Sequence, residues 1–242
     1  MSTRIPRFHF APGWWPALWL IALLLTLSGH AAAQCRLALV LALDVSASVD
    51  QREYGLLTSG TANALRSDEV RAALKSLGGV EVAVFEWSGR FQQHGIATWS
   101  RLDNDAAIDD MAGRIERHPR TTSEYPTALG AALGHAATLL RSATPGCARR
   151  VVDMAGDGEN NHGFEPRHAY NAFDFHGVTV NGLVVASDEV GKGIAAIDYY
   201  TREVIHGPEA FLEIAASYDD FEEAMKRKLL REIGVMSLVE RN

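Results

Sequence analysis

Positive charge is what this chain has least of. Its 23 lysines and arginines face 30 acidic residues, a formal net charge of −7 at pH 7, and no Lys/Arg block or basic stripe with interleaved aromatics breaks that balance. Such a surface repels phosphates, which excludes nucleic-acid binding by electrostatics. The nine histidines include His162, His168 and His176, yet show no His-x-x-x-His or Cys/His ligand spacing, so they point to surface or capping roles and not to zinc. A Gly-x-Ser-x-Gly elbow is missing, and serine hydrolysis goes with it. There is no internal repeat, low-complexity tract or Pro/Ser-rich linker. The one long apolar run, Trp14 to Leu27, spans 14 residues, short of the roughly 18 to 20 a membrane-crossing helix needs.

That run has another use. Arg4 and Arg7 precede it without an acid nearby, and Ser28-Gly-His-Ala31-Ala32-Ala33 follows it, the three-part layout of a secretory signal peptide. The expectation is a leader over 1–33 cleaved after Ala33, and a single domain over 34–242 that is periplasmic or secreted. Gln34 sits where a lipidated Cys35 would want a small residue, which disfavours a lipoprotein. Loss of Arg4 and Arg7 leaves 21 basic residues against 30 acidic ones, making the mature chain more acidic still.

Strand-like and helix-like segments alternate along the remainder. Residues 36–44, 79–87, 91–99, 149–155, 178–185 and 210–216 read as strands, the second and third as a hairpin across a Ser-Gly turn. Helical patterns fill 50–66, 68–77, 104–117, 127–141, 165–176, 193–205 and 219–233, the first opened by an Asp50 cap with Glu53 three positions on. This order predicts an α/β doubly wound sheet, mostly parallel, with one antiparallel edge strand. Cys35 and Cys147 each lie just before a buried strand. If those strands are parallel neighbours, a Cys35–Cys147 disulfide is geometrically open to them; the alternative is two unpaired thiols.

Chemistry gathers at the strand ends. The apolar run Arg36-Leu-Ala-Leu-Val-Leu-Ala-Leu-Asp44 stops in a carboxylate and continues as Val-Ser46-Ala-Ser48. The strand 149–155 runs into Gly156-Asp157-Gly158, and between the two comes Tyr125-Pro126-Thr127 at a helix start. Ligands of open α/β sheets bind outside the carboxyl ends of the strands. Asp44, Ser46, Ser48, Thr127 and Asp157 together make an all-oxygen donor set, which suits Mg²⁺ or Mn²⁺ and not zinc or copper.

The ordered trio Asp-x-Ser-x-Ser, Thr and Asp-Gly resembles the von Willebrand factor type A (vWA) domain with its metal-ion-dependent adhesion site, over about 36–234. Asp44-Val-Ser-Ala-Ser-Val-Asp50, Arg150-Val-Val-Asp-Met-Ala-Gly-Asp-Gly158 and Lys228-Leu-Leu-Arg-Glu-Ile233 look most like a bacterial secreted subfamily of undefined function. The resemblance implies that Ser46 and Ser48 bind the cation directly and that Asp44 and Asp157 bind directly or through water. It implies further that Thr127 joins in one state and that a partner's Asp or Glu carboxylate completes the shell. Two positions depart from the family pattern: Gly156 stands where Thr usually precedes Asp-Gly, and Pro126 where Gly commonly precedes Thr.

Each feature has a plainer alternative. Asp-x-Ser-x-Ser alone is often a turn, and Thr127 could merely cap its helix. Asp153 reads as a structural carboxylate, Asn160 and Asn161 as turn residues with the orienting of water at the site as the alternative, Trp87 and Trp99 as packing. Glu86, Glu124 and Glu159 read as surface charges, and the Lys226-Arg-Lys228 and Arg231 group as the solvated face of the last helix. A haloacid-dehalogenase-like phosphatase with Asp44 as nucleophile and Asp157 as metal ligand is the rival function; it wants a second carboxylate two residues on, where this chain has Ser46. The expectation is therefore a metal-dependent protein-binding module without catalysis of its own and with no membrane span after cleavage.

Overall fold

The computed structural model describes residues 35–186 and 191–234; the expected leader and its cleavage point lie outside them. Strand β1 (Leu37–Asp44) is buried along its whole length, as an apolar run covered on both faces must be. It pairs in parallel with β2 (Val80–Trp87) and with β4 (Arg149–Gly156). β5 (Val178–Val185) and β6 (Leu212–Ala215) extend the parallel sheet, and β3 (Gln93–Arg101) closes the other edge antiparallel to β2. The order is β3-β2-β1-β4-β5-β6. Chain direction around the sheet reverses between β1 and β4, so a crevice opens at their carboxyl ends. The register sets Asp44 opposite Trp87 and Leu43 opposite Ala155, which places Asp44 and Asp157 at neighbouring strand exits.

Alternation along β1 decides which helices cover which face. Leu37, Leu39, Leu41 and Leu43 pack into a core with α1 (Gln51–Arg66), α2 (Asp68–Leu77), α3 (Asp105–Glu116) and α7 (Phe221–Ile233). Ala38, Val40 and Ala42 face α4 (Leu129–Arg141), α5 (Pro166–Ala172) and α6 (Lys192–Tyr199). The small side chains of β1 meet the Ala/Gly-rich α4, so backbone can approach backbone on that side. Asp50 and Glu53 form the expected reciprocal cap of α1. Among the described residues no helix is long and apolar enough to cross a membrane.

Cys35 and Cys147 are joined by a disulfide, as parallel neighbours β1 and β4 allow. Several elements differ from the sequence expectation at their ends. The helix expected over 165–176 stops at Ala172, because Phe173 turns extended and Asp174 accepts from the His176 N–H. The helix expected over 193–205 ends at Tyr199 and continues as a π-helical turn, Tyr200–Val204.

Two charged groups expected at the surface lie in the core. Lys228 is fully buried, 2.9 Å from Asp153 and paired with Glu232, which also accepts from Asn181 at 2.8 Å. Position 228 falls on the stripe of Phe221, Ala224, Met225, Leu229 and Glu232, the i, i+3, i+4 face that turns inward. Glu86, also fully buried, receives the Thr121 N–H at 2.9 Å, the Thr121 hydroxyl and the Tyr54 hydroxyl. It ties the chain after α3 to the end of β2.

Candidate metal centre

Where β1 ends, the Asp44 side chain turns the backbone. Its Oδ1 accepts the Ser46 N–H at 2.8 Å, an Asx-type turn that folds the following loop across the strand ends. The loop is then pinned from both sides. Val45 donates to the Trp87 carbonyl and Ala47 to the Tyr125 carbonyl, while the Arg120 guanidinium donates to the carbonyls of Val45 and Ser46 at 2.9 and 3.1 Å. The hydroxyls of Ser46 and Ser48 are left facing the crevice between β1 and β4.

The other two loops meet them there. Thr127 Oγ1 donates to Ser46 Oγ at 3.2 Å, the two serine hydroxyls are 3.1 Å apart, and Ser48 Oγ donates to Asp157 Oδ1 at 2.8 Å. Four of the five expected residues thus form one string of hydrogen bonds, with Asp44 attached through the Ser46 backbone. Thr127 does not cap α4: the N-cap position is Ala128, without a side-chain cap bond, and the Thr127 hydroxyl is spent on Ser46 instead.

Four supporting residues carried no clear signal in the sequence. Asn161 Oδ1 accepts the Thr127 N–H at 2.8 Å, and the N–H groups of Asn161 and His162 donate to the Thr127 carbonyl. Asn161 therefore holds Thr127 in place, beyond the turn role expected of it. Arg120 clamps the first loop. Tyr218 brings its buried hydroxyl to Asp157, and Tyr200 brings one with no hydrogen-bond partner toward Asp44, whose Oδ2 is a second buried oxygen without one. The nearness of Tyr200 to Asp44 also accounts for Gly156. A Cβ there would press on the Tyr200 hydroxyl and lie 2.9 Å from Asp44 Oδ2, so the volume a threonine side chain would fill is already taken.

Burial pushes the Asp44 carboxyl well above the usual range and the nearby Asp157 carboxylate adds to this, against the opposing Ser46 hydrogen bonds and Arg120 charge. Asp157 is raised chiefly by burial, with the Ser48 and Tyr218 hydrogen bonds and the Lys192 charge opposing. Burial, with the same two carboxylates adding to it, raises the phenols of Tyr200 and Tyr218, which stay protonated. Two carboxylates deprived of water and set beside each other are the arrangement a divalent cation relieves. The donor set is all oxygen, and Asp44 Oδ2 is buried without a partner, so these residues fit a hard cation. Cys35, Glu81 and Cys147 also converge, but both sulfurs are committed to the disulfide.

The family described as "Protein of unknown function (DUF1194)" matches residues 34–237. No curated protein matches the sequence significantly. Solved structures do resemble the fold. The PilB minor pilin from Streptococcus sanguinis superposes with a TM-score of 0.60 at 13% identity, covering 84% of this chain and 62% of its own. A von Willebrand factor type A protein from Catenulispora acidiphila gives 0.54 at 16%, covering 83% and 43%. Proximal thread matrix protein 1 from the mussel byssus, with a zinc-occupied MIDAS motif, gives 0.56 at 16%, covering 82% and 48%. This chain spans less than two-thirds of the length of each of these proteins. At such identities the likeness is one of fold.

Proposed function

Because this chain belongs to the DUF1194 family and has the vWA fold, we propose that it is an exported, cation-dependent protein-binding module. Asp44, Ser46, Ser48, Thr127 and Asp157 would hold Mg²⁺ or Mn²⁺ at the carboxyl ends of β1 and β4. The observation that carries this reading is the continuous string from Thr127 through Ser46 and Ser48 to Asp157 beside the unpartnered Asp44 Oδ2. When bound, a divalent cation supplies a Lewis-acidic point to which a partner's Asp or Glu carboxylate attaches.

The chain's own residues do the rest. Ser46 and Ser48 present neutral oxygens, so the two carboxylates only balance a divalent cation and leave it able to accept a further anion, where four carboxylates would repel one. Arg120 and Asn161 fix the loops so that the donors converge before binding, which lowers the ordering cost of association. Burial of Asp44, Ser46 and Thr127 keeps water from the inner side, where low polarity strengthens the attraction. Leader cleavage after Ala33 would deliver the single domain to a periplasmic or extracellular setting, where the Cys35–Cys147 bridge persists. The pilin and matrix-protein neighbours lend this non-enzymatic reading support.

The test is retention of envelope proteins on immobilised chain in Mg²⁺ and again with chelator, for wild type and Asp44→Asn. The expected result is a partner held by wild type in Mg²⁺ alone. Retention indifferent to chelator and to the substitution would contradict it. Aryl-phosphate hydrolysis lost with Asp44→Asn would establish the phosphatase instead.

A further inference from the structure

Among the described residues, three of the four most exposed aromatic side chains lie on the donor loops or on the turn that adjoins them; the fourth, Phe173, lies just beyond α5. Phe91 is 74% exposed, Tyr125 40% and Phe164 39%. Each lies on a segment bonded to the centre. The Tyr125 carbonyl holds Ala47 between the two site serines. Phe164 follows Asn161 and His162, both of which donate to the Thr127 carbonyl, and it rests over Gly130 at the start of α4, where no side chain would fit. Phe91 belongs to the turn after β2, whose Arg90 N–H donates to His162 Nδ1 at 3.3 Å and whose Gly89 abuts Tyr125. The three rings therefore occupy one sector beside Thr127 and not three unrelated places.

Their chemistry is that of a contact surface. Exposed aromatic clusters are uncommon on isolated domains, and aromatic residues with arginine are enriched at interface centres. The Arg90 guanidinium already lies 4.5 Å over the Phe91 ring, so this pair is held in position before any ligand arrives. The remaining border is acidic. Glu124 precedes Tyr125, Glu159 follows Asp157 by two residues, and both glutamates are exposed on a chain of net charge −7. A ligand rich in acids is repelled by these carboxylates, while a single acid is drawn to the cation with Arg90 and Lys192 nearby.

We infer that the partner of this site is an extended protein segment bearing one Asp or Glu with an aromatic or large aliphatic residue within a few positions of it. The carboxylate enters at Ser46, Ser48 and Thr127, and the apolar side chain packs on Phe91, Tyr125 and Phe164 beside Arg90. This rests on the cation-dependent reading of the centre and adds what it selects.

The experiment is selection of a displayed library of random octapeptides on the full chain in Mg²⁺, with chelator elution, followed by affinity measurement of enriched peptides. The expected motif is a single acid with a neighbouring aromatic or large aliphatic residue. Phe91→Ser is expected to weaken those peptides about tenfold or more while its Mg²⁺ titration matches wild type. Enrichment of acidic peptides with no apolar preference, or affinity unchanged in Phe91→Ser, overturns the inference and leaves the cation reading standing. Selection indifferent to chelator overturns both. A Mg²⁺-dependent dimer in sedimentation, abolished by Phe91→Ser, would make the occupant a second copy of this chain and also overturn it.

Discussion

Gly156 shows how tightly single residues are constrained at this centre. An added methyl group meets the Tyr200 hydroxyl and the Asp44 carboxylate together, so Gly156→Ala is expected to cost about 1–3 kcal/mol, the usual range for overpacking. It should also weaken Mg²⁺ binding by displacing Asp44. Adding Tyr200→Phe removes the closer of the two obstructions, and denaturant midpoints should show partial recovery in the double variant. Asn161→Ala withdraws the acceptor of the Thr127 N–H; calorimetry should read a loss in Mg²⁺ affinity of about tenfold, the low end for groups that orient ligands from behind. The five candidate ligands could be picked out of the sequence because three of them fall within one five-residue stretch and the other two begin or end recognisable elements. Asn161, Arg120, Tyr200 and Tyr218 were not, because each acts across a long stretch of chain. No local pattern marks a residue whose only signal is a contact 34 positions away.

At the scale of elements, α7 holds the chain's least expected interaction. Its buried Lys228 serves two buried carboxylates, Asp153 on β4 and Glu232 one turn along. Lys228→Met is expected to destabilise by about 3–5 kcal/mol, since it strands uncompensated charge in the core. Replacing Lys228, Asp153 and Glu232 together with apolar residues should cost far less, and urea unfolding of both variants distinguishes the cases. The cluster also predicts a pH dependence. Burial raises Asp153 to about 7, Lys228 opposing this and Glu232 adding to it. A carboxyl raised in the folded state lends stability below its unfolded pKa near 4 and loses that contribution as pH climbs through about 7. Asp153→Asn should therefore gain stability relative to wild type between pH 5 and pH 8, and a constant difference across that span would contradict the assignment. Element type and order followed from periodicity, with ends shifted by a few residues. Lysine was read as solvated by its chemistry, although the inward stripe of α7 already included position 228.

The whole molecule is organised by one topological fact: β1 lies at the centre of the sheet with β2 and β4 in register on either side. That arrangement puts the amino ends of β1 and β4 together, where Cys35 and Cys147 bond, and their carboxyl ends together, where Asp44 and Asp157 meet. The bridge spans 112 positions of sequence, and reducing it is expected to lower stability by about 4–5 kcal/mol in the chain-entropy treatment. A denaturant midpoint unchanged by reductant would refute that. The alternating α/β pattern was enough to place both pairs of ends. What it could not supply was the aromatic sector beside Thr127, since Phe91, Tyr125 and Phe164 come from three separate loops.

Calorimetric titration with Mg²⁺, for wild type and for Asp44→Ala with circular dichroism as the check on folding, is the most direct measurement of the central claim. One cation per chain in wild type and none in an equally folded variant is the predicted result. Superimposable heats from the two proteins would contradict it.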